Sequence, residues 1–153
     1  FRPSTLRGRC FQGRGRSYLV DCYNANPASM KDSIEFFKNQ FTDSAKLYVL
    51  AGMEELGEGE KKLHHSVGQC IELDPTDLII LIGEKATWIA PALLEKGYSE
   101  SQIIVLSEIN DAVSLVEDFD GAVLFKGSRT YQLEKLLPAW AVEKNENGTD
   151  EQC

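Results

Sequence analysis

The stretch that decides the fold is the run from residue 18 to residue 30, Tyr18-Leu19-Val20-Asp21-Cys22-Tyr23-Asn24-Ala25-Asn26-Pro27-Ala28-Ser29-Met30. An apolar run leads into a polar turn and then into a segment with helical periodicity, which predicts a strand, a turn and a helix. Pro27 suits the first turn of that helix, where the N–H that proline lacks is not needed. Ligands commonly bind at the carboxyl ends of strands in open α/β sheets, so this turn is a candidate site.

The rest of the chain alternates short apolar runs with amphipathic segments. The first strand is predicted over 17–22, and further strands are predicted over 46–51, 78–82, 103–106 and 121–125. Helical spacing predicts helices over 60–73 and 86–96, and a last helix from 132. Strands that alternate with helices are typical of a parallel sheet covered on both faces. We therefore expect an α/β fold with a mostly parallel, Rossmann-like sheet of about five to six strands and helices on both faces.

The sequence divides into an arm, one domain and a tail. Residues 1–16 are rich in arginine and glycine and have little periodicity, which predicts a linker or an arm. Residues 17–140 are predicted to form one α/β domain, which is long enough to bury a core. Residues 141–153 are polar or acidic, so we expect a disordered acidic tail.

Composition excludes several classes of protein. The formal net charge of −8 argues against a general nucleic-acid binder, which would carry a basic surface. No apolar run reaches the roughly 18 residues that a membrane span requires. The chain begins Phe-Arg-Pro, without an initiator Met or a secretory h-region, and we expect it to be part of a longer protein.

Several common site motifs are absent from the sequence. There is neither a G-x-G-x-x-G after the first strand nor a G-x-x-x-x-G-K-[ST] phosphate loop. The four cysteines and two adjacent histidines have no zinc-like spacing, and the acidic residues between 54 and 60 lack a metal-ligand pattern. We therefore expect no metal site and no complete catalytic centre in this chain.

Three segments together carry a family resemblance. Residues 21–30 are similar to D-[ST]-Y-N-A-N-P-x-S-M, and Val123-Leu124-Phe125-Lys126-Gly127-Ser128-Arg129 is similar to V-L-x-K-G-S-R. Met53-Glu54-Glu55-Leu56-Gly57, followed by His64 and Val67-Gly68, is similar to D-M-x-E-L-G…H-x-x-[VI]-G, although Gly52 replaces the leading acid. In order and spacing these segments resemble the C-terminal domain of the Mur ligases, of the MurF type, over roughly residues 7–137.

The resemblance implies a role within a three-domain, cytoplasmic enzyme. Such a ligase adds D-Ala-D-Ala to UDP-MurNAc-tripeptide in peptidoglycan precursor synthesis and cleaves ATP to ADP and phosphate. The N-terminal domain would hold the UDP sugar, and the central domain would carry the phosphate loop and the Mg²⁺ ligands, so ATP and Mg²⁺ would be bound mainly outside this chain. Residues 1–16 would lead in from the central domain. This chain would close over nucleotide and dipeptide, and it should not turn over alone. No nucleic acid and no membrane is expected as a partner.

The same resemblance assigns site residues. Residues 21–26 also fit an Asx-type turn that leads into a helix, and residues 126–129 also fit a solvated basic turn. In the family, an arginine at the entry to the domain would reach back to the nucleotide at the hinge. Arg9 matches this arginine, and Arg7 is a rival for the same role. The nucleotide side would consist of Arg9, Asp21, Tyr23, Asn24 and Asn26, and the dipeptide or acyl-phosphate side of Lys126, Ser128 and Arg129.

His64 is a possible further site residue, although a partly buried helix histidine is more often structural. Two alternatives to the leading interpretation stay open. One is another Mur-related amino-acid ligase, similar to folylpolyglutamate synthase, whose relatives tend to carry a histidine in the first motif. The other is a non-catalytic α/β binding module, in which substitutions at Asp21, Asn24 and Lys126 would leave ligase activity intact.

Overall fold

The structure is a computed structural model that describes residues 8–144, and its centre is a single β-sheet. The described strands are β1 (Arg9–Gly13), β2 (Arg16–Asp21), β3 (Lys46–Ala51), β4 (Leu78–Ile82), β5 (Ile103–Leu106), β6 (Ala122–Lys126) and β7 (Val142–Glu143). Their order in the sheet is β5-β4-β3-β6-β2-β1-β7. The neighbours from β5 to β2 pair in parallel, and β1 pairs antiparallel with β2 and with β7. The predicted α/β fold with a mostly parallel sheet is confirmed, and the sheet has seven strands where about five to six were expected.

The five parallel strands coincide, to within one residue at each end, with the five predicted apolar runs. Every residue of β3 is buried, and so are four of the five residues of β4. Strands that are covered on both faces are near-continuous apolar runs, interrupted in β3 only by Lys46 at its start, which is why these strands could be predicted from the sequence.

The helices divide between the two faces of the sheet. Helices α1 (Pro27–Gln40), α2 (Glu60–Gln69) and α3 (Ala90–Glu95) pack on one face. The opposite face is covered by α4 (Val113–Asp118) and by the segment 133–137. The chain runs outward from β3 to β5 and then returns to insert β6 between β3 and β2. The segments that follow β2 and β6 leave toward opposite faces, and a crevice forms at such a switch point.

The two ends of the described chain differ from the sequence prediction. The linker expected over 1–16 contains β1, and the tail expected over 141–153 contains β7. Arg14 and Gly15 both have positive φ, at 54° and 75°, which is the geometry of a tight hairpin turn between β1 and β2. Residues 1–7 and 145–153 lie outside the described residues.

Several helices are shorter than their sequence patterns. The helix predicted over 60–73 ends at Gln69, and the one predicted over 86–96 is a 3₁₀ turn, Lys85–Ile89, followed by α3. The last predicted helix, from 132, is a 3₁₀ turn over Leu133–Leu136. No helix between residues 8 and 144 is long and apolar enough to cross a membrane.

Candidate functional site

The turn after β2 is held by the start of α1. Asn26 caps this helix: its side-chain oxygen accepts from the Ser29 N–H at 2.9 Å, and Ser29 Oγ accepts from the Asn26 N–H at 3.0 Å. Pro27 occupies the first helical turn, as predicted. This reciprocal capping satisfies two N–H groups that a helix start leaves unpaired. The Asn26 amide, predicted as a nucleotide contact, is thus engaged in fixing the turn.

Asp21 and Lys126 form a buried pair at the ends of two neighbouring strands. They are register partners in β2 and β6, and they are 3% and 1% exposed. Lys126 Nζ lies 3.4 Å from Asp21 Oδ2 and donates to the Asn24 carbonyl oxygen at 2.6 Å. The Ser33 hydroxyl of α1 donates to the same Asp21 oxygen. Both predicted ligand groups therefore have partners inside the protein.

Burial changes the protonation equilibrium of Lys126. Desolvation lowers the pKa of its ammonium, and the neighbouring Asp21 carboxylate opposes that shift. In the folded chain the Lys126 ammonium contacts the Asp21 carboxylate and the Asn24 carbonyl in place of water, and these charge-assisted contacts hold the two groups together. Lys126 thus links the end of β6 to the turn after β2.

The segment after Lys126 packs against the end of β3. A Cβ at Gly127 would lie 2.6 Å from the Cβ of Ala51, so only glycine allows this approach. The Ser128 N–H donates to the Gly52 carbonyl at 3.0 Å, and Ser128 Oγ accepts from the Thr130 N–H at 3.3 Å. The Lys-Gly-Ser part of the motif therefore anchors a loop, and Arg129 follows on its exposed side.

An exposed groove gathers three of the predicted residues. Its volume is about 270 Å³, and Tyr23 and Arg129 meet in it, with the guanidinium 5.7 Å from the ring centroid. Tyr23 is 56% exposed. Burial raises the pKa of the Cys22 thiol to about 12, so this side chain is no nucleophile at neutral pH. The groove is lined by Arg9, Val20, Cys22, Tyr23, Arg129 and Glu134.

Arg9 reaches this groove from β1. Its Nε and one terminal nitrogen donate to the two carboxylate oxygens of Glu143, at 2.9 and 2.8 Å. This bidentate contact joins β1 to β7 on the surface. Arg7, the rival hinge arginine, lies outside the described residues.

His64 is fully buried and serves the loop after β3. The Met53 N–H donates to its Nε2 at 2.9 Å, and its Nδ1 donates to the Glu60 carbonyl at 2.7 Å. Burial lowers the pKa of the imidazole, which favours this neutral form. The contacts fit the structural interpretation of this histidine, because both ring nitrogens are paired with the backbone.

A second polar cluster was missed in the sequence. Lys85 Nζ lies 3.0 Å from Glu54 Oε1 and 3.2 Å from Glu60 Oε1, and the Tyr131 hydroxyl donates to Glu54 Oε2 at 3.3 Å. The cluster covers the carboxyl ends of β3 and β4, and Tyr131 packs where Gly83 has no side chain. Its members come from three distant segments, and no local pattern indicates their meeting. Within residues 8–144, no three potential metal-ligating side chains cluster together.

Comparisons with known proteins converge on one family. The family described as "Mur ligase, glutamate ligase domain" matches residues 7–129. The UDP-N-acetylmuramoyl-tripeptide–D-alanyl-D-alanine ligase of Bacillus subtilis is 31% identical over 126 residues, which are 80% of this chain and 27% of that protein. The ligase of the same name from Haemophilus influenzae is 30% identical over 142 residues, 88% of this chain and 30% of that protein.

Solved structures agree with the sequence comparisons. The MurF ligase from Thermotoga maritima in complex with ADP aligns with a TM-score of 0.66 at 29% identity, over 90% of this chain and 30% of that one. A MurF structure from Acinetobacter baumannii gives a TM-score of 0.71 at 23% identity, over 89% and 30%, and shows the fold alone. The chain thus spans less than a third of the length of the Bacillus and Haemophilus relatives.

Proposed function

This chain belongs to the Mur ligase family as its glutamate ligase domain, and we propose that it is part of an enzyme that joins D-Ala-D-Ala to UDP-MurNAc-tripeptide. The names of the Bacillus and Haemophilus relatives support this choice of substrates. An N-terminal and a central domain would complete the enzyme. The product would be a peptidoglycan precursor, made in the cytoplasm, with no nucleic acid or membrane as a partner.

The observation that carries the proposal is the groove at the carboxyl edge of β2 and β6. It presents Tyr23 and two guanidinium groups to solvent beside the switch point of the sheet. Guanidinium groups recognise carboxylates and phosphates through paired N–H donors. We assign Arg9, Tyr23 and the exposed Asn24 to the nucleotide side. We assign Arg129 to the carboxylate of the dipeptide, with Ser128 holding its loop.

The work of this chain would be binding and orientation. Forming an amide bond requires the amine of the dipeptide to be aligned with the activated carboxyl group while water is excluded. ATP, cleaved to ADP and phosphate, supplies the driving force, and we propose that it and Mg²⁺ are bound mainly by the other domains. The ADP complex of the Thermotoga relative supports a nucleotide site in such proteins.

The proposal is tested by ligation in the full-length parent protein. Phosphate release is measured with ATP, UDP-MurNAc-tripeptide and D-Ala-D-Ala, for the wild type and for Arg129→Ala. Loss of a charged hydrogen bond to the ligand should lower kcat/KM about 10- to 100-fold. Arg14→Ala is the matched control, because Arg14 also lies over an aromatic ring, 4.6 Å from Trp140, but at the hairpin turn. It should change kcat/KM less than about twofold.

Other outcomes separate the alternatives. Phosphate release that depends on another amino acid, and not on D-Ala-D-Ala, would indicate another Mur-related ligase. No turnover by the parent protein would favour a binding module. Normal ligation by Arg129→Ala would be consistent with the ligase activity, but it would show that this groove does not bind the dipeptide. The chain of 153 residues alone should release no phosphate, and turnover by it would contradict the proposed division of labour.

A further inference from the structure

We propose that Tyr131 is a positioning residue that holds Arg129 in place for the dipeptide, through a hydrogen bond to Glu54 that Lys85 supports. Tyr131, Glu54 and Lys85 form what we call the Glu54 cluster. The inference rests on the proposed function and deepens it, because it names side chains outside the groove on which dipeptide binding would depend. Lys85 and Tyr131 lie outside the three motifs that carry the family resemblance.

The first argument is that Arg129 and Tyr131 share one short turn. Both belong to the 3₁₀ turn Arg129–Tyr131, in which the Tyr131 N–H donates to the Ser128 carbonyl at 3.0 Å. A 3₁₀ turn has three residues per turn, so side chains two positions apart point in different directions. Arg129 is accordingly exposed, whereas Tyr131 is half-buried against the sheet. Fixing the Tyr131 side chain therefore fixes the backbone from which Arg129 extends.

The second argument is the space that two glycines leave for the Tyr131 ring. Gly52 and Gly83 directly follow β3 and β4. A Cβ at Gly83, where φ is 91°, would lie 2.9 Å from Cε1 of the ring, and a Cβ at Gly52 would lie 3.3 Å from its hydroxyl oxygen and 2.8 Å from the Cβ of Lys85. Gly52 is also the position at which this chain lacks the acid of the D-M-x-E-L-G pattern. A side chain at either glycine would displace the Glu54 cluster.

The third argument is that the acceptor of the Tyr131 hydroxyl is itself held. The hydroxyl donates to Glu54 Oε2 at 3.3 Å, and Lys85 Nζ donates to the other oxygen, Oε1, at 3.0 Å. Lys85 Nζ also lies 3.2 Å from Glu60 Oε1 in the first turn of α2. Burial and the Glu54 carboxylate raise the pKa of the Tyr131 hydroxyl, so it stays a donor at neutral pH. The turn that carries Arg129 is thereby tied to the loops after β3 and β4.

A displaced turn would weaken the contact that we assign to Arg129. A guanidinium group binds a carboxylate best through two parallel N–H donors, and this geometry tolerates little displacement. The contact is to the carboxylate of the dipeptide and not to the reacting amine, so its loss should weaken binding and leave the chemical step unchanged. The expected signature is a raised KM for D-Ala-D-Ala with an unchanged kcat.

Initial-rate kinetics on the parent ligase test this signature. Tyr131→Phe keeps the ring in its space and removes only the hydroxyl. It should raise KM for D-Ala-D-Ala about fivefold, the equivalent of one hydrogen bond, and leave kcat within about twofold. In an Arg129→Ala background the same change should alter KM less than about twofold, because the residue through which Tyr131 acts is already gone. An equal effect in both backgrounds, no effect in either, or a fall in kcat alone would overturn the proposal.

Glu54→Ala tests the acceptor. It should raise KM for D-Ala-D-Ala by about the same factor as Tyr131→Phe, since each removes the same hydrogen bond. The double variant Glu54→Ala/Tyr131→Phe should be no worse than either single variant by more than about twofold. Effects that multiply in the double variant would show that the two residues act separately, and would overturn the proposal.

The matched control is Tyr98→Phe. Tyr98 is also half-buried, and its hydroxyl accepts from the Leu73 N–H at 3.0 Å, before the turn at 74–77 at the amino end of the strands. Its loss should leave KM for D-Ala-D-Ala within about twofold of the wild type, even where it lowers the melting temperature. A comparable rise in KM from Tyr98→Phe would show that the effect of Tyr131→Phe is unspecific destabilisation, and would also overturn the proposal.

A second measurement does not depend on ligase activity. In ¹⁵N relaxation of the full chain, the order parameter of the Arg129 Nε–Hε group should fall in Tyr131→Phe and stay unchanged in Tyr98→Phe. An unchanged order parameter in Tyr131→Phe would overturn the positioning role even if the parent ligase is active. A lowered order parameter, with a parent protein that does not use D-Ala-D-Ala, would support the positioning of Arg129 by Tyr131 and contradict the proposed function.

Discussion

Two buried lysines lie at opposite ends of the sheet, and their surroundings differ. Lys126 ends β6 and pairs with Asp21, and Lys46 begins β3 and lies 3.3 Å from Asp74 Oδ2 and 3.7 Å from Asp77 Oδ2. Each is 1% exposed. Both sites consist of a buried ammonium beside a buried carboxylate.

The two sites differ in the groups that surround each pair. Around Lys46, Asp77 accepts from the N–H groups of Lys46 and Asp74, and the Gln102 amide donates to the carbonyls of both aspartates. These contacts tie the turn at 74–77 to the start of β3 and to the residue before β5, and none of them leads to an exposed recognition group. Around Lys126, the contacts lead to an exposed pair, Tyr23 and Arg129, in a groove. Burial of a charge alone therefore does not indicate a site; its connection to exposed recognition groups does.

The largest expected effect comes from breaking either pair. Lys126→Met or Lys46→Met leaves a buried carboxylate without its cation, and each should lower the free energy of unfolding by about 3–5 kcal/mol. Urea unfolding of the full chain measures this loss. The double variants Asp21→Asn/Lys126→Met and Asp77→Asn/Lys46→Met remove the unpaired charge, so they should recover part of it.

Ligation assays on the parent protein then show whether the amino end or the carboxyl end of the strands takes part in the reaction. Per folded molecule, only the variants at Lys126 should lose activity, because Lys46 lies at the amino end of the strands. An equal loss per folded molecule from Lys46→Met would show that the two ends are not functionally distinct. Full activity in folded Asp21→Asn/Lys126→Met would show the same for the carboxyl end.

His64 extends the comparison, because it is a buried polar side chain near the carboxyl ends of the strands whose ring bonds only to backbone groups. Because burial lowers its native pKa below the ordinary 6.5, the unfolded chain binds a proton that the folded chain does not. The free energy of unfolding should therefore fall as pH drops below about 6.5, until the lowered native pKa is reached. Urea midpoints between pH 7.5 and 4.5 measure this.

His64→Gln should be less stable at neutral pH and should lose this part of the pH dependence. The control is the neighbouring His65→Gln, whose ring faces Glu95 at 3.1 Å near the surface and should leave the His64 component in place. Unchanged pH dependence in His64→Gln would contradict the assignment of a neutral buried imidazole. It would also remove the structural role that distinguishes His64 from Lys126.

Much of the fold could be predicted from the sequence because its signals are local. The five parallel strands are apolar runs, and α1 starts at an Asn-Pro step followed by helical spacing. Strand β1 forms a hairpin with β2 through the turn at Arg14 and Gly15, and the arginine- and glycine-rich composition of residues 1–16 suggested a linker instead. Strand β7 could not be predicted, since it pairs antiparallel with β1, about 130 residues earlier in the chain. Such a pairing leaves little trace in either segment.

The sequence predicted where the candidate site lies, but not which of its residues are buried and which are exposed. The motif residues were placed together because parallel strands end at one edge. Which of them are enclosed depends on the register Asp21↔Lys126 and on the helix above it, and neither is visible in a window of sequence. Ser33 did leave a signal, a serine on the apolar stripe of α1. The sequence contains no comparable signal for the cluster of Glu54, Lys85 and Tyr131.

The smallest effect, and the finest test of the groove, concerns Arg9 and Glu143. Both side chains are substantially exposed, at 62% and 39%, so their ion pair should contribute less than about 1 kcal/mol to stability. If Arg9 only fastens β7, then Arg9→Ala and Glu143→Gln should behave alike and leave ligation unchanged. If Arg9 contacts the nucleotide, as we propose, Arg9→Ala should raise KM for ATP about tenfold while Glu143→Gln leaves it unchanged, since only the first removes a cation. Initial-rate kinetics on the parent ligase decide between them, and a raised KM in both variants would mean that the pair orders the groove without Arg9 touching the ligand.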